Sequence, residues 1–152
     1  MALKQQIEQD LKTALLGGDK HKVITLRGLK SVILYAEVEK NKREAGLSDD
    51  EIMQLLAKES KKRQESADLY RQGHEDLRAE TELSEKALID AYLPKPLSND
   101  ELKVIIDEII KTNGFQGTQA MGQVIGQVKQ KVGASGDGAT IAALTKEILS
   151  TT

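Results

Sequence analysis

Cysteine is absent from the 152 residues, which excludes disulfides, thiolate metal sites and cysteine nucleophiles together. Proline occurs twice, at Pro94 and Pro96. Aromatic residues make up 3%, with no tryptophan and one phenylalanine, so the interior must be built from Leu, Ile, Val and Ala. That mix suits packed helices better than a β-sandwich. The two histidines, His21 and His74, lie far apart on polar segments and read as surface residues, not as metal ligands. Neither a metal nor a cofactor is expected. The longest apolar run, Val32 to Ala36, is far short of the ~20 residues that a membrane span needs. Met1 to Gln6 carries no signal-like apolar segment, so a cytoplasmic location without membrane contact is the expectation. A net charge of −2 argues against a molecule that binds nucleic acid over its whole surface, and DNA is not an expected partner.

The chain does have enough apolar and charged side chains to fold. Hydrophobic residues are 39% and charged residues 30%, as in a soluble globular protein with a solvated helical surface. The two prolines frame Lys95 in Tyr92-Leu93-Pro94-Lys95-Pro96-Leu97-Ser98. Each lacks an N–H and pushes the residue before it away from helical geometry. This stretch therefore stops one helix and releases another, and it divides the chain into modules over 1–93 and 98–152. Ser98 to Glu101 and Ser48 to Glu51 both spell a capping box.

Helical periodicity fills both modules. Leu3, Ile7, Leu11, Ala14 and Leu15 make a stripe that ends at Gly17-Gly18. Asp19 can cap a second helix over about 20–45, apolar on nearly every face and so expected to lie at the centre of its module. Gly28 inside it costs about 1 kcal/mol relative to alanine, and a close helix crossing is the expected compensation. A third helix spans about 49–72, with a basic patch of Lys58, Lys61, Lys62 and Arg63 that can be a solvated face or meet an anionic partner. A fourth spans 77–92, with Leu83, Ala87, Leu88 and Ala91 inward. After the prolines, Leu102, Ile105, Ile106, Ile109 and Ile110 define a fifth helix. Thr118 can cap a sixth, to about Val132, and the seventh runs from Ala139 to Ser150. The fold class is all-α, about four helices and then three.

Sites of chemistry are few. The loop Gly133 to Gly138 lacks the Gly-Lys-Ser/Thr ending of a phosphate loop and has no strand before it, so it reads as one helix cap followed by another. Acid pairs such as Asp49-Asp50 sit at helix starts, where the helix dipole favours them. No constellation for covalent catalysis is visible. The sixth helix is the distinctive one. Gly122 and Gly126 lie four residues apart, Lys129 and Lys131 fall in the last turn, and no acid occurs from Ile109 to Gly136. Two readings stay open: glycines for helix packing with lysines complementing the dipole, or a surface for RNA at Gly122, Gly126, Lys129 and Lys131.

Met121 to Lys129 (Met-Gly-Gln-Val-Ile-Gly-Gln-Val-Lys), then Lys131, Gly133 and a last helix through Leu144 and Leu149, resemble the tail domain of the GatB subunit of the tRNA-dependent amidotransferase. Leu26-Arg27-Gly28-Leu29-Lys30-Ser31, the Lys61 to Tyr70 stretch, Tyr92-Leu93-Pro94 and Leu97-Ser98 with Glu101-Leu102 resemble YqeY proteins. One departure is Gly73-His74, where the family often has Gly-Arg. Resemblance to the GatB/YqeY family implies a tRNA-binding or tRNA-enzyme-associated helical module, with tRNA or a tRNA-bound enzyme as partner. It also implies an alternative, carbon–nitrogen ligase activity with glutamine as amido-N-donor as part of an amidotransferase. A helical protein-interaction adaptor is the third reading. No ATP site or ammonia source is recognisable in the chain to favour the ligase.

Overall fold

A computed structural model of the chain describes residues 2–151. The fold is all-α: α1 (Ala2–Gly17), α2 (Lys20–Glu39), α3 (Asp49–Gln72), α4 (Asp76–Asp90), α5 (Asn99–Asn113), α6 (Met121–Val132) and α7 (Gly138–Ser150), with 3-10 turns at Thr118–Ala120 and Gly133–Ser135. The chain divides into two compact units, Met1–Leu93 and Pro94–Thr152, and each has its own hydrophobic core.

In the first unit α1 and α2 form a hairpin. Gly18 turns it with φ 70°, and Asp19 caps α2 by accepting from the Lys22 N–H at 3.1 Å. Leu3, Ile7 and Leu11 of α1 meet Leu26, Leu29 and Ile33 of α2 and Ile52 and Leu56 of α3 in one buried cluster that also takes in Leu47 and Ile89. Burial of such side chains contributes roughly 1.5–3 kcal/mol each before entropy is counted. Ser48 closes a capping box with Glu51, each backbone N–H donating to the other's side chain. Lys42 Nζ lies 2.8 Å from the same carboxylate. These two hydrogen bonds, first from Lys42 and then from the Ser48 N–H, hold Glu51 at a pKa of about 2.

The α3–α4 hairpin is held differently along its length. Near its base Ser60 Oγ donates to Asp90, which Lys86 also contacts at 2.6 Å. Further out, Arg63 lies among Glu59 (3.6 Å), Glu82 (3.8 Å) and Glu85 (2.8 Å), an ionic contact without an aligned hydrogen bond from Nε. Ala67 and Ala79 are the buried residues beyond it. Tyr92 ends the unit, donating to Asp10 of α1 at 2.5 Å. Burial first, then that bond and the Asp10 charge, push the phenol's pKa well above its usual range.

The second unit is a three-helix cluster. Leu102, Ile106, Ile109 and Ile110 of α5 pack with Val124 and Val128 of α6 and Ile141, Leu144 and Leu149 of α7. Ser98 and Glu101 form the second capping box, Gly114 ends α5 in the left-handed region at φ 67°, and Asp137 caps α7 through the Thr140 N–H at 3.0 Å.

Several local expectations change. α2 stops at Glu39, not near residue 45, because Asn41 turns the chain with φ 54°. α2 is not buried on all faces: Ile24, Leu34, Tyr35 and Val38 are 67%, 46%, 75% and 54% exposed. No close crossing covers Gly28, since nothing lies within 4 Å of where its Cβ would be. Leu15 is half exposed. On α4 the buried residues are Ala79 and Ile89, while Ala87 and Ala91 face out. Thr118 caps nothing. A 3-10 turn takes residues 118–120, with no side-chain cap at its start or at the start of α6.

Candidate functional site

α6 exists because Met121, Val124, Ile125, Val128 and Val132 recur at helical spacing, and those are the side chains it turns toward α5 and α7. The opposite side is set by the same arithmetic. Gln119, Gly122, Gln123, Gly126, Gln130 and Gly133 are all exposed. Nothing lies within 4 Å of a Cβ built on Gly122 or on Gly126. Among the described residues neither glycine serves a helix contact within its own unit. Together with the glutamines they make a face that is low at the glycines, rich in amides and bordered by Lys129.

The two lysines do not act as one pair. Lys129 follows Gly122 and Gly126 at the i, i+4, i+7 spacing and edges their stripe. Its side chain lies across the start of α7, where a Cβ on Gly138 would sit 3.4 Å from Cε and 3.5 Å from Nζ. Lys131 is two residues on, about 200° round the helix. It faces α5, with Nζ 3.6 Å from Glu108 Oε2 and both side chains more than half exposed. Glu108 is a member of the site that the sequence did not point to, because it lies on another helix. The packing glycine of this unit is Gly136. A Cβ there would meet Val132 Cγ2 at 2.8 Å and Ile141 Cδ1 at 3.0 Å.

The basic patch on α3 dissolves into separate functions. Arg63 is internal to the hairpin and Lys62 pairs with Glu59 at 3.2 Å, while Lys58, Lys61 and Lys62 are all exposed. A feature not anticipated lies between α1 and α2, a groove of about 530 Å³ lined by Lys4, Glu8, Arg27, Lys30 and Ser31 together with Ile7, Leu11, Ile33, Leu34 and Glu37. At its floor the fully buried Glu37 accepts from Lys4 Nζ at 2.7 and 3.1 Å. An acid between Ala36 and Val38, directly after the apolar run of α2, was the available signal; its partner 33 positions away was not. Among the described residues no cluster of three or more His, Asp or Glu could hold a metal ion, and no helix is long and apolar enough to cross a membrane.

Two all-α units, the second carrying a glycine-punctuated helix and joined to the first through Tyr92-Leu93-Pro94, define the class. The model of the Yqey-like protein family matches residues 4–149, and the chain belongs to that family. Its Leu26 to Ser31 motif divides by burial: Leu26 and Leu29 are core, whereas Arg27, Lys30 and Ser31 line the α1–α2 groove. No curated protein matches the chain.

Proposed function

We propose that the protein is a tRNA-binding or tRNA-enzyme-associated module whose second unit, built like the GatB tail, meets RNA with the glycine–glutamine face of α6. The observation that carries this reading is the open space over Gly122 and Gly126. A helix that spends two glycines on an exposed face loses about 1 kcal/mol at each, and the packing of this chain does not recover it. Close approach of a sugar–phosphate backbone would make use of the missing side chains. Amides of Gln123 and Gln130 can donate to phosphate and accept from ribose hydroxyls, and Lys129 can swing from α7 to neutralise one phosphate. Lys131 contributes less while Glu108 holds it.

The test is titration of the full chain with tRNA at low salt, followed by fluorescence anisotropy. Binding should weaken steeply with added salt. Lys129→Ala should lower the salt slope by about 1. Glu108→Gln should strengthen binding by releasing Lys131. Gly126→Leu should abolish binding by filling the open space, with the fold intact. Absence of tRNA binding at low salt, or full binding by Gly126→Leu, would remove the RNA reading and leave the helical adaptor in its place.

A further inference from the structure

The exposed face of α2 carries a pattern that nothing in its own unit uses. Ile24, Gly28, Ser31, Tyr35 and Val38 are spaced four, three, four and three, the alternation of a coiled-coil seam. Ile24, Tyr35 and Val38 are 67%, 75% and 54% exposed, and Leu34 beside them is 46% exposed. The seam is low in the middle, at Gly28 and Ser31, and high at both ends. The space over Gly28 is open, so a glycine in the third turn of a twenty-residue helix has no contact within its own unit to account for it.

We propose that this face is a self-association surface, on which a second copy of the chain lays its own α2 antiparallel, with the two-fold axis at Ser31. That pairing sets Ile24 level with the partner's Val38, Gly28 with the partner's Leu34, and Arg27 with the partner's Tyr35. Gly28 leaves room for the partner's backbone at that level, Leu34 flanks the seam, and the Arg27 guanidinium reaches the face of a tyrosine ring, a favourable contact for a cation. The opposite orientation stacks Arg27 on Arg27 and Lys20 on Lys20. The antiparallel one brings the cationic first half of α2 (Lys20, Lys22, Arg27) to the helix end that carries Glu39 and the negative pole of the partner's dipole. Lys40 and Lys42, which would oppose it there, are turned to Glu51 at 3.6 and 2.8 Å. The exposed parts of Ile24, Leu34, Tyr35 and Val38 supply over half of the ~800 Å² per partner of a standard interface. Gly28, Ser31 and Arg27 extend it.

The absence of cysteine makes the geometry testable on the full chain. Ser31→Cys places one thiol at the axis, where small residues bring the two backbones close enough for disulfide geometry, and mild oxidation should give a covalent dimer. Ile24→Cys alone should stay monomeric but cross-link when mixed with Val38→Cys. By sedimentation the mass should rise with concentration from 16.7 kDa toward twice that value. Gly28→Leu, whose Cβ has nothing within 4 Å, should weaken association at least tenfold without lowering the melting temperature. A single-chain mass at every concentration overturns the proposal. So does Ser31→Cys cross-linking no faster than a control cysteine at the exposed Leu77, and so does self-cross-linking of Ile24→Cys, which would mark the parallel pairing.

Discussion

Replacing Gly122 and Gly126 together by alanine should make the protein more stable and a poorer RNA binder. Both glycines lie inside α6, outside the left-handed region, and an added methyl at either meets nothing within 4 Å. The folded state therefore gives up nothing. Gly126, inside the helix, gains the glycine-to-alanine difference of about 0.8–1.0 kcal/mol, and Gly122, second in the helix, gains less. The pair should give about 1–2 kcal/mol. For a unit of this size melting in its own transition that is a rise of roughly 4–16 °C, at about 4–8 °C per kcal/mol. Helical ellipticity on heating reads the shift, and tRNA titration of the same sample reads binding. Gly136→Ala is the control of opposite sign. Its methyl would press on Val132 and Ile141, and overpacking of that kind costs about 1–3 kcal/mol. A lower melting temperature for the double alanine variant would refute the account of α6, because the glycines would then be packed. A higher melting temperature with unchanged affinity for tRNA would refute the use proposed for that face.

Other outcomes follow from the first unit and from the joint. Lys4→Met should destabilise by about 2–3 kcal/mol, less than the roughly 3–5 kcal/mol of breaking a fully buried pair, because Lys4 is one-third exposed. Lys4→Met with Glu37→Met should return to within about 1 kcal/mol of the parent, and denaturant titration separates the two results. Glu51 has a folded pKa of about 2 against an ordinary value of 4.5, so its contribution is whole above pH 4.5 and is lost as the pH falls toward 2. Urea midpoints of Glu51→Gln and parent, taken along that range, should converge at the acid end; a constant gap would refute the linkage. Limited proteolysis should cut near Lys95, an exposed residue between two prolines, and release two folded fragments, since Leu93 packs on one core and Leu97 on the other. Degradation with no stable fragment would contradict this.

What the sequence disclosed, it disclosed through short-range chemistry. Ser48, Ser98 and Asp19 cap helices because each partner N–H lies three residues on, and that spacing is visible in the letters; Asp137 caps α7 in the same way. The stripes of α5, α6 and α7 were legible for the same reason: each is narrow, and only one side of the helix can be the inside. α4 was not, because Ala79, Ala87 and Ala91 are too small to declare a side. Its orientation is set by the polar seam with α3, where Arg63 meets acids from 19 and 22 positions away. Lys129 and Lys131 were read together although two residues on a helix point nearly opposite ways. The separation was legible in the spacing, whereas the hold of Glu108 on Lys131 needed the fold.

α2 shows the limit most clearly. Periodicity reports how many apolar residues a helix has, and not how many of them its own chain can cover. Leu26, Leu29 and Ile33 are buried while Ile24, Tyr35 and Val38 are left to solvent, although the two sets look alike in sequence. Taken as burial in one module, the all-round apolarity is a surplus. Taken as two seams back to back, one for the core and one for a second copy, every apolar position has a use, and Gly28 becomes the place where two backbones come close. The crossing expected to compensate for a helix-interior glycine is missing from its own unit, where nothing lies within 4 Å of a Cβ on Gly28. What the residue did not say is whether the second helix belongs to the same molecule, and a single cysteine at Ser31 is placed to answer that.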